Sequence, residues 1–151
     1  MADIFISYSS EDRDRVIPLV KALKDRGWSV WWDRDLPLTS PFDDVIRVEL
    51  RSARCVVALW SENTVNSLYV KGEARDAMRL NKLISVFISL SPFELPYDLQ
   101  SLQGLELIDW NGEELDANYQ RLIQGISSKI SSSSQKAINA VIEEVKDKPQ
   151  W

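Results

Sequence analysis

Histidine is absent from this chain. That excludes Cys/His zinc sites, Ser-His-Asp triads and acid–base chemistry by an imidazole. Cysteine occurs once, at Cys55, so no internal disulfide can form and nothing points to secretion. Followed by Val56-Val57-Ala58-Leu59, Cys55 reads as a buried strand residue. A basic surplus is also missing: 18 Lys and Arg stand against 23 Asp and Glu, a formal net charge of −5. Binding to a phosphate backbone rests on such a surplus, so nucleic acid is not an expected partner. No apolar run approaches the ~20 residues of a membrane-spanning helix. Asp3 makes the N-terminus acidic where a signal peptide would be basic. A cytoplasmic protein with no membrane partner is the expectation.

What is present is a soluble globular balance, 44% apolar and 27% charged residues over 151 positions. That length suits one domain, which buries roughly 70% of the surface its unfolded chain exposes and needs no metal or disulfide. The chain is organised around Asp3-Ile4-Phe5-Ile6-Ser7-Tyr8-Ser9-Ser10-Glu11-Asp12. Ile4 to Ile6 read as a strand buried on both faces. The sequence then turns to hydroxyls and acids that offer N-cap oxygens before Val16, Leu19, Val20 and Leu23, which share one helical face. A strand running straight into a helix leaves a polar loop at the strand's carboxyl end, where open α/β sheets bind ligands.

The pattern repeats along the chain, without internal sequence repeats. A helix over Asp12–Arg26 stops at Gly27, and Trp28–Trp32 reads as a second strand. Asp33–Pro41 is a loop with two prolines, and Asp43–Arg51 resumes helical spacing. Cys55–Trp60 is a third strand, and Ser67 caps a helix carrying Tyr69, Val70, Glu73, Ala74, Ala77 and Leu80. Leu83–Leu90 is a fourth apolar run, Pro92–Gln103 is irregular, and Leu105–Asp109 is a short edge strand. Leu115, Tyr119, Leu122, Ile126 and Ile130 mark a last amphipathic helix. Strands alternating with helices predict an α/β fold: a flavodoxin-like five-stranded parallel sheet of order 2-1-3-4-5, with helices on both faces and a crevice between strands one and three.

Residues 1–130 form one predicted domain. Ser131–Ser134 reads as a flexible break, and Ala137, Ile138, Val141, Ile142 and Val145 as a further amphipathic helix within 131–151. That tail can pack on the domain, mediate assembly, or lead into another domain.

Five stretches, in order and spacing, resemble the Toll/interleukin-1 receptor (TIR) domain over about residues 2–130. They are Asp3–Ser9, Trp31-Trp32-Asp33, the loop Asp33–Phe42, Val56–Ser61, and Ser67-Leu68-Tyr69-Val70-Lys71-Gly72-Glu73. The loop takes the place of the family's BB loop, with Thr39-Ser40-Pro41 where a glycine often stands, which implies a stiffer loop. Some members of the family are protein–protein adaptors, and others, the bacterial-type branch among them, cleave the nicotinamide–ribose bond of NAD. The enzymatic kind carries a glutamate on the helix after strand three, four residues beyond an aromatic that is usually tryptophan. Here those positions are Glu73 and Tyr69. Tyrosine departs from the family's residue, although a phenol ring also stacks on a heterocycle.

The resemblance implies an NAD glycohydrolase or ADP-ribosyl cyclase, with NAD as substrate, no separate cofactor and no metal. It also implies self-association through TIR–TIR contacts and a role as an immune effector joined to a sensor domain or partner protein. Its alternative is a non-catalytic scaffold of the same fold. Glu73 suits the chemistry. Nicotinamide in NAD is already cationic and leaves neutral, so no general acid is required. One carboxylate beside the ribose stabilises the charge that develops there. The competing role for Glu73 is a solvated helix glutamate beside Lys71 and Arg75. Ser9 and Ser10 either cap the following helix or hold a diphosphate at its N-terminus. Trp32 and Phe42 either line the pocket or fill the core, and Asp33 is either a ligand or a turn residue. A phospho-acceptor receiver of the same sheet order would need acids at the ends of strands one and three. Those ends here are serines and Trp60-Ser61.

Overall fold

The structure, a computed structural model, describes residues 2–32, 42–89, 94–100 and 104–146. The chain runs β1 (Ile4–Ser7), α1 (Arg13–Asp25), β2 (Val30–Trp31), α2 (Phe42–Ser52), β3 (Cys55–Trp60), α3 (Leu68–Arg79), β4 (Leu83–Phe87), α4 (Tyr97–Gln100), β5 (Gly104–Glu106) and α5 (Ala117–Lys146). A 3-10 turn over Ser10–Asp12 joins β1 to α1. The five strands form one sheet of order β2-β1-β3-β4-β5, every pair parallel. This is the flavodoxin-like arrangement that the alternation predicts.

The sheet is covered on both sides, which is why β3 and the Ile4–Ile6 part of β1 are apolar without alternation. On one face Ile4, Ile6, Val57 and Leu59 pack with Val16, Leu19 and Leu23 of α1 and with Tyr119, Leu122 and Ile126 of α5. On the other, Phe5 and Val56 meet Ile46 and Leu50 of α2 and Ala77 of α3, while Ala58 and Trp60 meet Val70 and Ala74 of α3. Cys55 is fully buried in the first of these layers, and burial pushes its thiol up to about 12. A single strand residue thus separates two different environments, and that parity places the candidate site.

Helix ends follow their chemistry. Gly27 takes φ +93 just past Arg26, the C-cap of α1, as its place at the predicted stop requires. At the end of α3 Asn81 does the same with φ 56, and the Lys82 amide returns to the Ala77 carbonyl at 3.0 Å. That turn delivers the Lys82 Nζ to the carboxyl end of α2, where it donates to the Leu50, Arg51 and Ala53 carbonyls.

Three expectations need correction. The serine run does not break the last helix: α5 continues from Ala117 to Lys146. Serine costs only a few tenths of a kcal/mol, about 0.5 against alanine, inside an established helix, and propagation is cooperative. Leu115 precedes that helix and is exposed rather than on its buried face, because the helix starts after the Asp116 carboxylate accepts from the Tyr119 amide at 2.9 Å. The irregular stretch before β5 contains one helical turn, α4, which buries Leu99. Among the described residues no helix is long and apolar enough to cross a membrane.

Candidate active site

Ser67 fixes the phase of α3. Its hydroxyl accepts the Val70 amide at 3.2 Å, the cap expected from the sequence. With the start set, the helical period turns Val70, Glu73, Ala74 and Ala77 inward. Three of these are apolar and fill the core. Glu73 is the fourth, and only 9% of it is exposed. A carboxylate so placed is costly unless it is hydrogen-bonded. The bond comes from β1: the Ser7 Oγ donates to Glu73 Oε1 at 2.7 Å, with both residues buried. Strand alternation explains the meeting, because Phe5 and Ser7 project on the α2/α3 face while Ile4 and Ile6 project on the other. The solvated role for Glu73 is therefore not what the fold provides. Arg75, two residues on, is instead held by Asp98 at 2.8 and 3.3 Å.

Glu73 also borders a cleft of about 240 Å³ between α2 and α3, walled by Ile46, Arg47, Leu68, Tyr69, Gly72 and Asp76. Tyr69, one turn before Glu73, stands at its lip with 70% of its surface exposed. The i, i+4 pair is thus brought together on one cleft. Gly72 leaves the wall open, since a Cβ built there meets nothing within 4 Å.

At the exit of β1 the polar residues are occupied structurally. Ser9 accepts the Glu11 amide at 3.4 Å and caps the 3-10 turn. Ser10, the first residue of that turn, is exposed. Asp12 is 1% exposed and accepts from Asn63 Nδ2 at 2.7 Å, from Arg15 at 3.3 Å and from the Ser61 hydroxyl, so it ties β1 to the loop after β3. Arg15 reaches on to Glu62 at 3.0 Å. The Arg15 guanidinium, then the Ser89 hydroxyl, hold the Glu62 carboxyl down at about 2. Around the amide end of α1, Glu11, Asp12 and Asp14 stand among Arg13 and Arg15.

Trp32 is not brought to Glu73. It lies across the sheet, 6.0 Å from the Tyr8 ring, with the Arg13 guanidinium 4.7 Å above it. Trp31 is on the Glu73 face, stacked on Phe5 at 5.0 Å. Asp33 lies outside the described residues, and for Phe42 only the backbone, at the start of α2, is described. A larger cleft of about 370 Å³ opens on the α1 face between Arg15, Leu59, Ser89 and Trp110, and no expected site residue lines it. Three residues around Glu73 were missed from sequence: Ser7, its hydrogen-bond donor, and Arg47 and Asp76 on the cleft wall. The parity of β1 would have found Ser7, and the i+3 step from Glu73 would have found Asp76. Arg47 carries no such signal.

The sequence model of the TIR domain matches residues 4–123. No curated protein sequence matches the chain. Among solved structures, the TIR domain of the Toll-related receptor TRR-2 from Hydra magnipapillata superimposes with a TM-score of 0.71 at 20% identity, covering 84% of this chain and 99% of that one. A metazoan TIR-STING receptor from C. gigas in complex with 2',3'-cGAMP gives 0.70 at 22% identity over 84% of this chain, which spans 40% of the receptor's chain. The TIR domains of the activated Roq1 resistosome, which directly recognises the pathogen effector XopQ, give 0.65 at 17% identity, covering 83% and 99% of the two chains. At these identities the superpositions speak to the fold. Together with the sheet order and the match over residues 4–123, they make this chain a member of the TIR domain family.

Proposed function

We propose that the protein is an NAD-consuming enzyme of the bacterial-type TIR branch, a glycohydrolase or cyclase whose carboxylate is Glu73. One observation carries the reading: Glu73 is an acidic side chain held inside the α3 face by Ser7, yet it borders an open cleft beside an exposed aromatic ring. A glutamate with only a solubilising role has no reason to be drawn inward.

The chemistry needs little else. The C1′–N bond of NAD breaks, and its electron pair goes to the nicotinamide nitrogen, which leaves neutral. Positive charge develops on the ribose at C1′. A carboxylate near the sugar stabilises that charge and holds the ribose by its hydroxyls, an electrostatic and positioning contribution of several kcal/mol in comparable sites, on the order of 3. Water then adds at C1′ and loses a proton to give ADP-ribose, or an adenine nitrogen adds within the molecule to give a cyclic isomer. Tyr69 at the lip offers a ring face to a base. Ser9, Ser10 and Trp32 carry no observation that draws them into this step, and the side chains of Asp33 and Phe42 lie outside the described residues.

A scaffold reading has its own support. Leu68 and Tyr69 expose 81% and 70% of their surface side by side on α3, an apolar patch suited to self-association. The receptor and resistosome among the structural relatives make immune signalling the natural setting for either reading, with assembly as the activating step and a sensor domain or partner supplying the signal. Nicotinamide release from NAD, followed over a concentration series of purified protein with products identified, separates the two. The enzyme reading expects release that grows faster than protein concentration. A scaffold releases none at any concentration.

A further inference from the structure

We infer that Ser7 is a positioning residue for Glu73: its hydroxyl fixes the rotation of the carboxylate against the cleft. The inference rests on the NAD-cleaving reading above. A glutamate has three side-chain torsions, and the last, at the carboxylate, is broad. Left to itself the group would sample many orientations, and misplacement by about 1 Å can cost roughly a hundredfold in rate. The Ser7 Oγ restricts that freedom by donating to Oε1 at 2.7 Å, the usual length of an O–H···O bond.

The donor is well anchored. Ser7 is the last residue of β1, paired with Ala58 of β3, and is fully buried. Its position on an inner strand of the sheet, in register with β3, is more rigid than a loop would supply. Size matters as well as chemistry. Val56, Ala58 and Trp60 share this face of β3, and only the small Ala58 stands beside Ser7, so a short side chain there can span to α3. An apolar residue in place of Ser7 would remove this buried donor to the carboxylate. The opening stretch therefore serves the site through its parity: the serine inside the strand acts, while Ser9 caps a turn.

A buried hydroxyl also needs a partner for stability, so the test must separate positioning from folding. Nicotinamide release is measured for the wild type, Ser7→Ala, Ser7→Thr, Ser7→Cys, Glu73→Gln and the double variant Ser7→Ala/Glu73→Gln, with thermal unfolding alongside. Ser7→Ala should lower kcat about ten- to a hundredfold with KM within about threefold of wild type, the signature of an interaction realised in the transition state. Ser7→Thr keeps the hydroxyl and should recover most of that loss. Ser7→Cys is nearly isosteric, donates weakly and should fall between; it keeps the test standing if the alanine variant unfolds. In the Glu73→Gln background, Ser7→Ala should have no further effect. Wild-type kcat in folded Ser7→Ala and Ser7→Cys beside an inactive Glu73→Gln overturns the positioning role alone. So does a raised KM with kcat unchanged. A wild-type protein that releases no nicotinamide overturns the parent reading and this inference with it.

Discussion

Trp31 and Trp32 are adjacent in sequence and lie on opposite faces of the sheet. Trp31 stacks on Phe5 in the layer that holds Ala77 of α3, and Trp32 sits against Tyr8 under the Arg13 guanidinium. The sheet therefore separates Trp32 from the Glu73 cleft. Trp32→Ala should cost stability, about 1–3 kcal/mol from lost packing and a lost cation–π contact. It should leave the KM for NAD unchanged. Urea unfolding and steady-state kinetics check both halves, and a large rise in KM in a folded variant would place Trp32 in the substrate site.

Gly72 tests the cleft from its wall. Space is open where its Cβ would be, and the residue is interior to α3. Gly72→Ala should stabilise the protein by about 0.5–1 kcal/mol, the helix-propensity difference. Gly72→Phe should fill the opening and reduce kcat/KM by about tenfold or more, mostly through KM. Unchanged kinetics in the phenylalanine variant would mean that substrate does not use this cleft.

The clasp between Arg15, Glu62 and Ser89 gives a pH dependence with a definite sign. Glu62 falls from an ordinary 4.5 to about 2 in the folded protein, first through the Arg15 hydrogen bond. A depressed carboxylate contributes stability that is present above its unfolded value and is lost as pH falls through the folded one. The melting-temperature gap between wild type and Glu62→Gln should therefore be widest above pH 4.5 and close as pH falls toward 2. The pair is exposed, so salt should narrow the gap at every pH. A gap that widens on acidification contradicts the assignment.

Much of the fold was legible because its signals are local. Ile4-Phe5-Ile6 and Cys55–Trp60 are unbroken apolar runs that suit a doubly covered parallel sheet, and Gly27 and Ser67 punctuate helices as their chemistry dictates. Tyr69 and Glu73 were legible as a pair because helical spacing sets their relation without tertiary information. Ser131–Ser134 misled because serine reads as a linker by composition, whereas an established helix carries it at little cost. The role of Asp12 was hidden for a different reason. Its partners Ser61 and Asn63 lie about fifty residues away, at separations of 49 and 51, and no local pattern announces such a contact. Ser7 lies between these cases, since strand parity reveals its face but not what waits there.

The measurement that bears most directly on the account is nicotinamide release by Glu73→Gln, an isosteric change, at a protein concentration where the wild type turns over. With folding verified by an unchanged unfolding transition, the rate should fall by about a hundredfold or more. A folded Glu73→Gln protein that releases nicotinamide at the wild-type rate would remove Glu73 from the chemistry and contradict the account.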